Sequence, residues 1–251
     1  MVKIAFTGLW VVNMRLALIE DLLSEPLPAG SNLLVEYDAA SQWYRVSLNI
    51  VREWLRAGGE VGYNVAAQFP DNLRSQLRKL GLNVEKLETD GKLEIWDWHS
   101  ATLGQKSNEK FVGASTGLKA ADLSIAIAKE ELRPAMAGEA YAEYLRIWDN
   151  CSVMARFNED KAWVEFLVTR IFPSAFYTKS TLIVGVIRGV HSDWVYSQLE
   201  DAADGVIDFK IEDNGEETRD ALRIRSMRTV GFDRRWRRLK IGENFEVTLE
   251  K

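Results

Sequence analysis

The sequence predicts an α/β fold in which a mostly parallel central sheet lies between two layers of helices. Segments typical of strands alternate with segments typical of helices along most of the chain, and this alternation favours parallel strands joined by helices. Residues 182–187 form an unbroken apolar run, as expected for a parallel strand that is buried on both faces. From Gly205 onward, β-rich segments alternate with turns. We therefore expect an antiparallel extension at the C-terminal edge of the sheet.

The first half of the chain contains three predicted strands and two predicted helices. The strands are residues 30–36, 61–66 and 93–98. A helix over 46–57 joins the first two strands and ends at a pair of glycines, which commonly terminate helices. The second helix begins at Pro70 and ends at Gly81, and its leucines recur at helical spacing. These elements come in the order expected for parallel strands with helical connections.

The second half begins with a polar stretch, residues 100–118, whose glycines predict an exposed loop. Further predicted strands are residues 145–149 and 182–187. Further predicted helices are residues 119–133, 160–172 and 193–202. Turns at Asn214-Gly215 and at residues 242–244 divide the β-rich tail. The whole pattern is that of three layers, with helices on both faces of one sheet.

Composition limits the classes of function. The 251 residues are 47% hydrophobic and 27% charged, which suits one soluble globular domain over residues 1–251. A net charge of −5 argues against a protein that coats nucleic acid with its whole surface. The single Cys151 excludes an internal disulfide and a cysteine-based metal cluster, and we expect no metal or cofactor. No apolar run reaches the roughly 18 residues that span a bilayer, so we expect a cytoplasmic protein without membrane contact.

The most informative segment lies between the strand over 30–36 and the helix over 46–57. The motif G-x-x-x-x-G-K-[ST], which binds nucleotide phosphates, lies in a loop between a strand and the N-terminus of a helix. Here Tyr37 and Gln42 stand at the two glycine positions, Trp43 at the lysine and Tyr44 at the hydroxyl that binds Mg²⁺. Asp38 adds a negative charge that we expect to face the phosphate position. We therefore expect normal ATP binding at this loop to be lost.

Two interpretations of these aromatic side chains stay open. In the first, Trp43 and Tyr44 fill the vacated nucleotide cleft and have become part of the core. In the second, they line a site for another ligand or for a side chain of a partner, because Trp and Tyr are enriched on such surfaces. The two differ in whether a cleft remains beside these side chains.

A second informative segment is a basic run near the C-terminus, in which Asp220 and Asp233 are the only acidic residues. Its members are Arg219, Arg223, Arg225, Arg228, Arg234, Arg235, Arg237, Arg238 and Lys240. It is either a solvated strand face, a subunit interface or a nucleic-acid patch with Trp236 among the arginines. His99 and His191 stand apart from each other and from carboxylate clusters, so both are predicted to be structural.

Taken together, these segments resemble the KaiC-like branch of the RecA superfamily of ATPases, which is found in many archaeal proteins. The spacing from Gly30 to Leu80 matches that family without an insertion, although Glu25-Pro26 replace glycines in the lead-in to the first strand. Residues 203–207 resemble the strand that follows the last large helix, and residues 219–228 resemble the basic strand. The resemblance covers nearly the whole chain and implies a RecA-like three-layer α/β/α fold.

The resemblance also assigns roles to positions at which this chain differs. The adjacent glutamates that activate water in the family are Ala67 and Gln68 here, and neither can act as a base. The Lys-Met-Arg trio that reaches a neighbouring subunit's nucleotide appears as Ser226-Met227-Arg228. Asp149 matches the acid that helps to hold Mg²⁺, and without phosphates it is predicted to be structural. These differences from the family therefore predict that the chain does not hydrolyse ATP.

The sequence therefore predicts a pseudo-ATPase that acts as a binding or regulatory subunit and oligomerises with itself or with an active paralogue. The predicted interface residues are Arg228, Arg235, Trp236 and Arg237. The alternative is an accessory protein of the recombinase-paralogue type that binds nucleic acid through its basic C-terminal strands.

Overall fold

The computed structural model describes residues 16, 18–113, 117, 144–213, 215–242 and 246–250. Its strands are β1 (Asn32–Tyr37), β2 (Glu60–Val65), β3 (Leu93–Asp97), β4 (Phe111–Val112), β5 (Tyr144–Trp148), β6 (Thr181–Ile187), β7 (Gly205–Asp213), β8 (Thr218–Met227), β9 (Arg237–Ile241) and β10 (Val247–Leu249). Its α-helices are α1 (Trp43–Arg56), α2 (Pro70–Lys79), α3 (Val84–Thr89), α4 (His99–Thr102), α5 (Ser152–Ala155), α6 (Asp160–Phe166), α7 (Phe172–Thr178) and α8 (Asp193–Ala202). Short 3₁₀ and π segments add Glu20–Leu22 and Leu167–Ile171.

The described strands form one ten-stranded sheet in the order β10-β9-β8-β7-β1-β6-β5-β2-β3-β4. All pairs from β7 to β4 are parallel, and the pairs from β7 outward to β10 are antiparallel. This confirms the predicted mostly parallel sheet with an antiparallel C-terminal edge. The antiparallel part starts one strand later than expected, because β7 still runs parallel to β1.

Two hydrophobic cores lie on opposite faces of the sheet, since successive residues of a strand point to opposite sides. Leu33 belongs to the core that α1 and α2 cover, and its neighbour Leu34 belongs to the core under α6, α7 and α8. Both leucines are at most 1% exposed. A strand buried on both faces needs apolar residues without alternation, as the sequence of β1 shows. The two helical layers and the central sheet are the three predicted layers.

Most predicted elements are present, but several boundaries differ. Helix α1 begins at Trp43, three residues before the predicted start. The helix predicted over 160–172 continues through the π segment to Thr178. Pro173 cannot donate a backbone hydrogen bond and crowds the preceding turn, which accounts for the irregular segment before it.

The polar stretch 100–118 is only partly a loop, because its described residues include most of α4 and all of β4. The predicted helix over 119–133 lies outside the described residues, as do Asn214 and residues 243–244. Across the described ranges, we find no helix with the length and apolar character that crossing a membrane requires.

Candidate functional site

A cleft of about 280 Å³ lies beyond the carboxyl ends of β1, β2 and β5, beside the start of α1. The strands converge there because they are parallel and end at the same edge of the sheet. Its lining includes these residues singled out from the sequence: Tyr37, Trp43, Tyr44, Ala67, Gln68 and Asp149. The remaining lining residues are Ala39, Ser41, Asn150 and Ile187. The fold therefore brings together most of the predicted pocket.

Trp43 occupies the interior beneath the first turn of α1. Its side chain is buried, and its indole Nε1 donates a hydrogen bond of 2.9 Å to the backbone oxygen of Asp149. The ring packs edge-on against Phe209 and at a tilt against Tyr37, with centroid distances of 6.0 and 6.2 Å. A Cβ at Gly185 would lie 2.7 Å from the indole nitrogen, so only glycine leaves room for it. Trp43 thus fills the core, as the first interpretation expects.

Tyr44 and Gln68 form a direct link across the cleft. The amide Nε2 of Gln68 donates a 2.7 Å hydrogen bond to the hydroxyl of Tyr44. Burial raises the pKa of Tyr44 to about 12, so the phenol stays neutral near pH 7. Gln68 and Tyr44, two residues singled out from the sequence, are therefore bound to each other. A cleft nevertheless remains beside them, which keeps the second interpretation open.

Asp149 follows β5 and has a strongly perturbed carboxyl group. Burial raises its pKa to about 7, and backbone N–H groups of Asn150 and of Asp149 itself oppose this shift. Among the residues that the structure describes, no ion pair involves this carboxyl. Asp149 is thus a buried acid bound by backbone amides, and no cation of the described residues pairs with it.

Two of the predicted pocket residues do not line the cleft. Asp38 accepts a 3.0 Å hydrogen bond from the N–H of Ile211 and lies 3.3 Å from the guanidinium of Arg188. The expectation that Asp38 faces the phosphate position is therefore wrong, because β7 and Arg188 hold its carboxylate. Gln42 directs its backbone N–H to Asp220 Oδ1 at 2.8 Å. An internal carboxylate thus binds an amide at the start of α1, where phosphate-binding loops use such amides for their ligand.

The basic run forms many ion pairs within the chain. The pairs are Arg219 with Glu217 and Glu250, Arg223 with Asp208, Arg225 with Glu36, Glu200 and Asp208, Arg228 with Asp201, Arg235 and Arg237 with Asp233, and Arg238 with Glu212. Most of these acids come from other elements, so the sequence of the run alone could not reveal them. The local excess of positive charge is therefore largely neutralised in the fold.

Trp236 is covered by cations of its own chain. Lys210 Nζ lies 4.1 Å and the guanidinium carbon of Arg223 lies 4.7 Å from the ring centroid. Arg234 stands over Phe232 at 5.3 Å in a similar contact. These cation–π contacts use the aromatic surface that a stacking base would need.

Two clusters were not predicted from the sequence. His191, predicted to be structural, places Nε2 2.8 Å from the Oγ of Ser152. The serine is buried and also accepts a hydrogen bond from the N–H of Ile187, so this contact joins α5 to the end of β6. The second cluster pairs Arg225 with Glu36, whose pKa burial raises to about 7. The sequence feature that could have indicated this cluster is Glu36 itself, a charged residue in the apolar run of β1.

The sheet order and the cleft define a RecA-like α/β fold, in which β6 separates β1 from β5. Among solved structures, the chain is similar to a KaiC-like protein from the hyperthermophilic archaeon Pyrococcus horikoshii OT3, with a TM-score of 0.71 and 15% identity. The similarity covers 92% of this chain and 94% of that chain, and at this identity it shows the fold. No family model matches the chain, and no curated protein matches it.

Proposed function

We propose that this chain is a KaiC-like pseudo-ATPase of the RecA fold that acts as a binding or regulatory subunit. The observation that carries the proposal is the burial of the Trp43 indole beneath α1, at the sequence position that corresponds to the lysine of a phosphate-binding loop. A charge-assisted contact to phosphate is worth roughly 1.5–3 kcal/mol, and an indole cannot supply it. The bulk and the hydrogen bond of Trp43 support a structural role.

The surrounding polar groups support the same proposal. Asp220 accepts the hydrogen bond of the Gln42 amide, and its negative charge at this place opposes a phosphate. Gln68 donates to Tyr44 and is a neutral amide, so it cannot take a proton from water. The residues at the positions that the family resemblance assigns to phosphate binding, water activation and the trans-acting lysine all differ from the family in this one chain.

A regulatory role would rest on surfaces, and Arg228 is the residue that the family resemblance points to. Its side chain is 54% exposed and pairs with Asp201 in the same chain. An exposed pair of this kind contributes at most about 1 kcal/mol, so Arg228 could turn to a neighbouring subunit at little cost. We propose Arg228, Arg235, Trp236 and Arg237 as contacts to a second copy or to an active paralogue in the cytoplasm. The paired arginines give less support to the nucleic-acid alternative.

The nucleotide proposal is tested by thermal unfolding with and without ATP or ADP and Mg²⁺. We expect no change in melting temperature at millimolar nucleotide. If the Kd for nucleotide were one hundredth of that concentration, binding would stabilise the folded protein by about 2.7 kcal/mol. The melting temperature would then rise by several degrees. An active KaiC-like ATPase serves as the positive control, and a clear stabilisation of this chain would overturn the proposal.

The subunit proposal is tested by sedimentation velocity of this chain alone and mixed with an active KaiC-like ATPase. We expect association in one of these samples and at least tenfold weaker association with Arg228→Ala. Arg78→Ala is the matched control, because Arg78 is a half-exposed arginine paired with an exposed glutamate far from β8. Only monomers in every sample, or equal effects of the two substitutions, would contradict the proposed interface.

A further inference from the structure

We propose that the cleft beside α1 binds a small organic cation, a molecule with a primary ammonium or guanidinium group, in place of a nucleotide. This inference rests on the proposed function, because it requires that no nucleotide occupies the cleft. It goes further because it names a class of ligand for the cleft. The residues that differ from a phosphate-binding loop do not by themselves specify such a class.

The first argument comes from buried polar atoms that lack partners. Ser41 Oγ and Asn150 Oδ1 are buried and make no hydrogen bond with any described residue, and both residues line the cleft. Buried polar groups in folded proteins are almost always hydrogen-bonded, and exceptions often mark a missing water, ion or ligand. The hydroxyl of Ser41 can donate or accept, whereas the amide oxygen of Asn150 can only accept, so this oxygen beside a cleft of about 280 Å³ points to a ligand that carries a hydrogen-bond donor.

The second argument is the charge of the cleft. Asp149 contributes a carboxyl group, and the part of the lining that the structure describes includes no lysine, arginine or histidine. The side-chain oxygens of Ser41 and Asn150 can both accept hydrogen bonds, as can the carboxylate. An ammonium or guanidinium group supplies donors and the positive charge that this acid lacks. An anion would find hydroxyl and amide donors here, but the described lining offers it no cation and places the carboxyl of Asp149 beside it.

The third argument is the nature of the walls. Tyr37, Trp43 and Tyr44 line the cleft with aromatic side chains, and Ile187 adds an aliphatic surface. Aromatic rings attract cations through their faces and also cover the alkyl part of an amine. The cleft volume lies just below the roughly 300–1,000 Å³ of typical ligand pockets, which suits a ligand with few heavy atoms.

Isothermal titration calorimetry with agmatine and with 1,4-diaminobutane tests the inference. The neutral analogue 1,4-butanediol has a similar chain and no charge, and ATP with Mg²⁺ is the fourth probe. We expect saturable one-to-one binding of at least one amine, no binding of the diol and none of ATP. Asp149→Asn should weaken amine binding at least tenfold, and the surface substitution Asp71→Asn should leave it within twofold, since Asp71 is 91% exposed on α2.

A second variant protects the test against misfolding of Asp149→Asn. Ser41→Ala changes one hydroxyl in the loop before α1, and we expect it to weaken binding about threefold or more. Absence of saturable binding by either amine, or equal binding by the Asp149 and Asp71 variants, overturns the inference and leaves the proposed function intact. Saturable binding of ATP would instead overturn the proposed function.

Discussion

The buried carboxyl of Asp149 gives the sharpest quantitative prediction. Its pKa rises from 3.8 to about 7 because burial disfavours the charged form. Since each pKa unit corresponds to about 1.4 kcal/mol, this one group should lower the free energy of unfolding by roughly 4 kcal/mol between about pH 4 and pH 7. The sign follows from linkage: between pH 4 and 7 the native protein holds a proton that the unfolded chain has lost. The contribution is therefore full below pH 4 and is lost as pH rises through about 7.

Replacing Asp149 with asparagine removes this titration. We expect Asp149→Asn to gain stability relative to the unmodified protein as pH increases, by up to about 4 kcal/mol between pH 4 and pH 8. Urea unfolding of both proteins at pH 4, 5, 6, 7 and 8 measures the difference directly. Other titrating groups, Glu36 among them, affect both proteins and cancel in the comparison. A stability difference that stays constant across this pH range would refute the assignment of a raised pKa to Asp149.

Three further predictions concern packing and charge. Trp43→Ala should lower the free energy of unfolding by about 3–5 kcal/mol, whereas Trp194→Ala, at a position 46% exposed, should cost less than half as much in the same urea titration. Gly185→Ala should destabilise the protein by about 1–3 kcal/mol or prevent folding, because the added Cβ would lie 2.2 Å from a backbone oxygen, and thermal unfolding with circular dichroism checks this. Arg225→Met should cost at least about 2 kcal/mol, because it leaves the buried carboxyl of Glu36 without its guanidinium partner; the double variant with Glu36→Gln should recover part of the loss.

The parallel core of the fold could be predicted from the sequence because local signals were strong. The unbroken apolar run of β6 and the strand, loop and helix around β1 gave the right elements in the right order. The irregular segment before Pro173 could not be placed, because its position depends on how the helix packs around a missing hydrogen bond. The start of α1 also differs from the prediction: Trp43 is its first residue, and the indole is held by the backbone oxygen of Asp149, 106 residues away along the chain.

The residues of the candidate site were predicted better than their orientations. Their positions in the loop were enough to predict that Tyr37, Trp43 and Tyr44 lie at one cleft. It could not show that Asp38 turns toward Ile211, because that amide lies 173 residues away along the chain. The partners of the basic run were hidden in the same way, since the sheet brings acids from distant segments beside the arginines. Contacts of long sequence separation are therefore the part that sequence alone could not supply.

The hydrogen bond from the Gln42 amide to Asp220 has a consequence for any attempt to build a phosphate-binding loop at the start of α1. Placing glycines and a lysine in this loop would leave the carboxylate of Asp220, 178 residues away along the chain, on an amide that a phosphate would need. Such a design would also have to change β8, where Asp220 belongs to the ladder with β7. A phosphate site here thus requires coordinated changes in two segments that are distant in sequence, and single substitutions in the loop are not expected to create one.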